Sequence, residues 1–111
     1  MKPDIPTITP EAAAARVAEA KAVLIDVREP LEWADGVATP AVLLSLTDLK
    51  AGTDGWERML ADNADKELIL YCKAGGRAGN AATLLATRGL RTTNMGGFST
   101  WKAAGLPVRL P

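Results

Sequence analysis

Short, nearly all-apolar runs alternate along the chain with stretches in which apolar residues return every three or four positions. Ala22 to Val27 (AVLIDV), Ala41 to Leu46 (AVLLSL) and Glu67 to Tyr71 (ELILY) are runs of the first kind. They have the length and continuity of strands buried on both faces. Arg91 to Met95 reads as a fourth, weaker strand. Thr9-Pro10-Glu11 offers an N-cap, a proline at the first helical position and an acid in the first turn, so a helix runs from there to about Ala20. Arg28 to Ala34 predicts a short helical turn, Asp35 to Pro40 a loop, and Thr47 to Asn63 a polar helical region broken at Gly52 and Gly55. Ala78, Ala81, Ala82 and Leu85 share one face of a helix over Arg77 to Arg88, with Gly89 placed for a left-handed cap. Phe98 to Ala104 is a last short helix, stopped by Gly105 and Pro107. Strands alternating with helices predict an α/β fold, a mostly parallel central sheet with helices on both faces.

Composition narrows what such a fold can do. A chain of 111 residues, 48% apolar, favours one domain over residues 1–111. Thirteen basic residues balance thirteen acidic ones, so no overall field attracts nucleic acid or an anionic membrane, and neither is expected as a partner. Any preference for anions must be local. No apolar run approaches the roughly 20 residues needed to cross a bilayer, and Met1 to Pro10 does not read as a signal peptide. A cytoplasmic location is the expectation. The chain has one cysteine and no histidine. That excludes an intramolecular disulfide, a dithiol redox motif, and any Ser-His-Asp or Cys-His catalytic arrangement. Common zinc sites lose their ligands too, and no metal or organic cofactor is expected.

Cys72 is the first residue after the third predicted strand, and a helix begins a few residues later. Ligands of parallel sheets gather at the C-terminal strand ends. The unpaired N–H groups at the start of the following helix favour an anion there. Gly75 and Gly76 leave room for backbone amides to turn inward as an anion-binding nest, and Lys73 and Arg77 add positive charge. These effects favour thiolate over thiol without an imidazole. A lone cysteine is more often a small buried hydrophobe; its place at a strand end, within Lys73-Ala74-Gly75-Gly76-Arg77, argues for reactivity.

The run Cys72-Lys73-Ala74-Gly75-Gly76-Arg77-Ala78 resembles the active-site loop of rhodanese-domain sulfurtransferases, usually Cys-x-x-Gly-x-Arg. Leu24-Ile25-Asp26-Val27-Arg28-Glu29 with Glu32-Trp33 resembles the family's first signature. Asn94-Met95-Gly96-Gly97, Trp101 and Ala103 to Val108 resemble its C-terminal one. The three motifs stand in family order over about residues 9–108. One segment departs. A Gly-His-Ile-Pro-Gly-Ala-like stretch is common after the first signature, whereas this chain has Gly36-Val37-Ala38-Thr39-Pro40-Ala41. The family uses that stretch for a turn into a strand, so the loss of histidine at Val37 reads as structural.

The resemblance implies a rhodanese-like domain in which Cys72 takes a sulfane sulfur from a donor such as thiosulfate or a persulfide. The resemblance implies that the resulting Cys72 persulfide passes it to cyanide or a cellular thiol, either a small molecule or one carried by a protein. Cys72 is then catalytic, and Lys73, Ala74, Gly75, Gly76 and Arg77 form the substrate cradle. Arg77 either steers an anionic donor or braces the loop. Related phosphatases and arsenate reductases place five residues between Cys and Arg; here there are four, Lys73 to Gly76, a smaller cradle that suits one sulfur atom better than a tetrahedral oxyanion. A catalytically idle binding or regulatory module is the remaining alternative, although such modules usually lack the cysteine or break the loop. Asp26 and Arg28 either support the loop and its anion or, as the preferred reading, form an ordinary ion pair at a strand end. Trp33 and Trp101 are expected in the core, and nothing fixes the role of Trp56.

Overall fold

The structure is a computed structural model and describes residues 3–111. The reading of Met1 to Pro10 as no signal peptide therefore falls partly on Met1 and Lys2, which lie outside the described residues. Four parallel strands form the central sheet in the order β3-β1-β4-β5, with β1 Ala22–Asp26, β3 Val42–Leu43, β4 Glu67–Cys72 and β5 Thr92–Gly97. Of the two interior strands, β1 and β4, the second carries the cysteine.

Period-two alternation divides the sheet's side chains between two cores. Ile25, Leu68, Leu70 and Cys72 pack on one side with Leu46, Leu49, Trp56, Ala78, Ala81 and Leu85. These come from the loops and helices α3 Leu46–Ala51, α4 Asp54–Asp62 and α5 Gly76–Ala86. Ala22, Leu24, Ile69 and Tyr71 pack on the other side with Ala13, Met95, Phe98 and Trp101. Their helical partners are α1 Pro10–Ala18 and α6 Phe98–Ala103. The small faces of α5 let it lie close against the sheet, and all four of its predicted core residues are buried. Helices thus cover both faces of a parallel sheet, as the alternation of elements predicts.

Local chemistry sets most of the boundaries. Thr9 caps α1 by accepting the Ala12 N–H at 3.2 Å, and Ser45 caps α3 by accepting that of Asp48 at 3.1 Å. Gly52 ends α3 in the left-handed region, where a glycine carries no Cβ penalty. Gly55 breaks nothing. It lies in the first turn of α4, where an added Cβ would come within 3.3 Å of Leu44 Cδ2, so it is small in order to let Leu44 pack. The predicted strand over Ala41 to Leu46 is shorter, only Val42–Leu43, because Leu44 and Ser45 turn into α3. The expected loop Asp35 to Pro40 contains β2, Val37–Ala38, which pairs antiparallel with β6, Val108–Arg109. Cys72 is the last residue of β4 rather than the first beyond it, paired in register with Gly97. Trp56 and Trp101 are buried, with indole N–H groups donated to the carbonyls of Ser45 and Pro107. Trp33 is half-buried, and its indole nitrogen, shielded from solvent, has no hydrogen-bond partner among the described residues. No described helix is long and apolar enough to cross a membrane.

Candidate active site

Cys72 ends a strand flanked on both sides by parallel neighbours, and the chain must then rise over the sheet edge to enter α5. Lys73, Ala74 and Gly75 make that turn. The side chain of Cys72 is 1% exposed and lies beneath the turn, where its Sγ accepts the backbone N–H of Gly75 at 3.0 Å and of Ala78 at 3.4 Å. Two amides of the helix start thus converge on one sulfur. Both donate, so they stabilise a charged sulfur more than a neutral one.

The loop is held from below by β5. Gly75 has φ +106°, a left-handed conformation, and packs with its Cα hydrogens toward Gly96. At Gly97 an added Cβ would overlap the carbonyl oxygen of Lys73. Asn94 reaches up from the same strand. Its Nδ2 donates to the Gly75 carbonyl at 3.1 Å while its Oδ1 accepts the Gly96 N–H at 2.8 Å, tying the loop to the strand it crosses.

From the side the loop is held by α2, Pro30–Trp33. The Glu32 carboxylate forms a two-pronged pair with Arg77, at 2.5 Å to Nη1 and 2.8 Å to Nη2. The hydrogen bonds from Arg77 push the Glu32 carboxyl down to about 2, and the same pairing raises Arg77 further above its ordinary range. Glu32 also accepts the Glu29 N–H at 3.1 Å, in a reciprocal capping box. Arg77 is therefore occupied by a partner from another element.

Asp26 and Arg28 form a separate, buried bracket. Arg28 donates to Asp26 through Nε and Nη2, with Nη2 to Oδ2 at 2.7 Å, and to the Gly36 carbonyl at 2.8 Å. Its guanidinium lies 4.4 Å from the centre of the Phe98 ring. Tyr71 accepts the Ala38 N–H at 3.0 Å, and burial together with the neighbouring Asp26 holds its phenol well above the ordinary range. The segment that departs from the family pattern is thus tied down by Arg28 and Tyr71 through backbone groups.

Beside the loop opens a cleft of about 430 Å³, bordered by Arg28, Glu32, Asp35, Lys73, Phe98 and Lys102. Lys73 and Ala74 are exposed at its rim. Two further clefts, of about 420 and 490 Å³, lie around Arg16 and Glu67 at the opposite end of β4. Among the described residues no cluster of three or more His, Cys, Asp or Glu side chains is placed to hold a metal ion.

The structure brings Cys72 together with Gly75, Gly76 and Arg77, and leaves Asp26 bonded to Arg28 rather than to the loop. Sequence reasoning did not single out Glu32, Asn94 or Gly97 as site residues. Asn94 carried a usable signal, an amide in a strand position where such residues are disfavoured. Glu32 did not: an acid in a capping box looks the same whether or not it reaches across the fold.

Residues 9–104 match the family model described as "Rhodanese-like domain". Among curated relatives, an uncharacterized protein of Synechocystis sp. is 36% identical over 88 residues, which make up 78% of this chain but 46% of that protein. The chain thus spans less than half the length of that relative. "Putative sulfurtransferase YtwF" of Bacillus subtilis is 33% identical over 91 residues, 81% of this chain and 82% of the relative. A protein named "Sulfurtransferase" from Allochromatium vinosum is 31% identical over 107 residues, 94% of both chains. Among solved structures, a Rhodopseudomonas palustris protein of unknown function, described as "Possible Tyrosine Phosphatase", superposes with a TM-score of 0.77 at 28% identity, covering 95% of this chain and 85% of that one. A thiosulfate sulfurtransferase of Pseudomonas aeruginosa shares the fold, with a TM-score of 0.78 at 24% identity over 98% of this chain and 20% of that one. A cysteine under converging amides at the end of a central parallel strand, with a family match running from the cap of α1 to the end of α6, places this chain in the rhodanese-like domain family.

Proposed function

We propose that the protein is a sulfurtransferase that carries sulfane sulfur as a persulfide on Cys72, with thiosulfate as a competent donor. The observation that carries the reading is the pair of N–H donors, from Gly75 and Ala78, on the Cys72 sulfur. The Cys72 thiolate attacks the outer sulfur of thiosulfate; the S–S bond of the donor breaks, sulfite leaves with the electron pair, and Cys72 holds a persulfide anion. Fixed amide dipoles around the sulfur lower the energy of each anionic species without reorganisation, which is stabilisation of the oxyanion-hole type. An acceptor, cyanide or a thiol, then attacks the outer sulfur and releases Cys72 as thiolate. No step requires histidine, and the chain has none.

Lys73 raises the potential at the rim, Ala74, Gly75 and Gly76 supply the cradle, and Arg77 acts by bracing the loop through Glu32. Asp26 and Arg28 act as support for the strand end. The relatives named as sulfurtransferases favour this reading, and the phosphatase name on one structural neighbour favours oxyanion chemistry. The four-residue spacing between Cys72 and Arg77, and the engagement of Arg77 by a carboxylate, weigh for sulfur.

Intact-mass spectrometry after exposure to thiosulfate tests the proposal, with Cys72→Ala alongside and a cyanide chase. The expected result is a gain of one sulfur by the wild type only, lost to cyanide as thiocyanate. A folded protein whose Cys72 alkylates readily but takes no sulfur would overturn thiosulfate as donor.

A further inference from the structure

The guanidinium at the end of the cysteine loop is already in use. Arg77 gives both of its terminal nitrogens to the Glu32 carboxylate, Nη1 at 2.5 Å and Nη2 at 2.8 Å. A guanidinium holds a carboxylate and a tetrahedral oxyanion through the same fork, so one partner displaces the other. Arg77 is also near enough to the thiolate to feel it. Its hydrogen bonds to Glu32 come first in holding it above its ordinary range, and the charge of Cys72 adds to them. What remains for the Cys72 sulfur is two amides, from Gly75 and Ala78, and Lys73, which has no ion-pair partner among the described residues. Two amides suit one anionic atom. They do not replace the charge-assisted bonds that the several oxygens of sulfate, phosphate or arsenate call for. The pair is not sealed off either. Both side chains are about one-third exposed, so removing the carboxylate leaves a guanidinium that ions from solvent can reach.

We propose that Glu32 determines which anions the loop accepts, by withholding Arg77 from tetrahedral oxyanions and so reserving the cradle for a single sulfur. The inference rests on the sulfurtransferase reading and adds to it a specificity-determining residue that acts through Arg77. It makes the exclusion of oxyanions a property of α2 and not of loop length alone.

Sulfate is the probe. It is titrated at constant ionic strength into ¹⁵N-labelled wild type, Glu32→Gln and Glu32→Asp, and the amides of Gly75, Gly76 and Ala78 are followed. Glu32→Gln should bind sulfate about tenfold more tightly than the wild type, the gain expected when one charge-assisted fork is freed. Glu32→Asp, whose carboxylate reaches one methylene less far, should fall between them. Asp35→Asn controls for net charge. Its N–H donates to the Glu32 carbonyl, and its carboxylate pairs with no cation among the described residues, so affinity should change less than about twofold. Adding Arg77→Gln to Glu32→Gln should abolish the gain. Loading of Cys72 by thiosulfate, followed by mass, is the second readout: sulfate should slow it in Glu32→Gln and not in the wild type.

Equal sulfate affinities in wild type and Glu32→Gln, both folded by their urea transitions, overturn the proposal and leave the exclusion to loop length. A gain that survives the loss of Arg77, or that Asp35→Asn matches, also overturns it. If Glu32→Gln does not fold, the order of wild type and Glu32→Asp decides. If thiosulfate loads no sulfur at all, the parent reading loses its donor, while the sulfate titrations still decide the role of Glu32.

Discussion

Lys73 leaves β4 so close above Gly97 that a single added carbon would overlap its carbonyl oxygen. Gly97 has ordinary extended angles, φ −119° and ψ 151°, so its glycine is a matter of space and not of conformational freedom. Gly97→Ala should therefore lift the loop, cost about 1–3 kcal/mol of stability as overpacking does, and slow sulfur loading of Cys72 about tenfold or more. Time-resolved intact mass reads the second effect; loading at the wild-type rate in a folded variant would show that the loop's height does not matter. Asn94 offers a finer probe. Asn94→Asp replaces the amide that donates to Gly75 with a second oxygen facing the carbonyl. Either change leaves a half-buried carbonyl without its donor, at about 0.5–1.5 kcal/mol, and Asp adds negative charge beside it, so Asp should destabilise more than Ala, and Cys72 should react more slowly with iodoacetamide in both. Equal alkylation rates in all three proteins would remove Asn94 from the positioning of the cradle. Cys72 itself was legible from its neighbours, because a strand, a glycine loop and a helix in sequence converge amides on one atom. Asn94 and Gly97 were legible only in part, the first as an amide in a strand and the second as a glycine of the C-terminal motif, because their contacts depend on β5 passing under a loop 19 residues or more earlier in the chain.

The shortest helix has the most direct hold on the site. α2 has only four residues, too few to be stable on intrinsic propensity. Its position is set by the capping box between Glu29 and Glu32, by Thr47 donating to Glu29 at 3.0 Å, and by the Glu32–Arg77 pair. Since the folded-state pKa of Glu32 is depressed to about 2 from 4.5, its contribution is fully present above about pH 4.5. It is lost as pH falls from there toward 2. Both side chains are about one-third exposed, so solvent screening limits the contribution to about 1 kcal/mol. Urea midpoints of wild type and Glu32→Gln should differ at pH 6 and converge as pH falls through that window. Parallel curves down to pH 2 would mean that the pair does not hold the helix. Elements of this size mark where pattern reading stops. The long apolar runs and the alanine face of α5 were legible because each carries its own period. β2 and β6 are two-residue strands whose pairing spans about seventy residues, and no local period announces them. Gly55 misled for a related reason: inside a helix, glycine marks either a break or a close neighbour, and only the fold places Leu44 there.

Across the whole molecule, the sheet separates a core behind Cys72 from one behind Tyr71, and the Asp26–Arg28 pair stands at the active-site end of the second. Asp26 is fully buried and Arg28 nearly so. A buried pair of this kind adds little net stability over apolar residues of the same volume, yet removing one partner strands a charge. Arg28 also reaches the carbonyls of Gly36 and Glu32 and covers Phe98, so it fastens β1, the turn after α2 and α6 to one another. Arg28→Ala should therefore cost about 3–5 kcal/mol, read as a fall in the urea midpoint with an unchanged slope. Arg28→Lys should recover only part of this, since an ammonium cannot reach Asp26, Gly36 and the ring face together. Asp26→Asn in the Arg28→Ala background should restore stability relative to Arg28→Ala alone, because the stranded carboxylate is then gone. If the double variant is no more stable than the single one, the cost lies in lost packing on Phe98 and not in charge, and the bracket is a steric wedge that happens to be ionic.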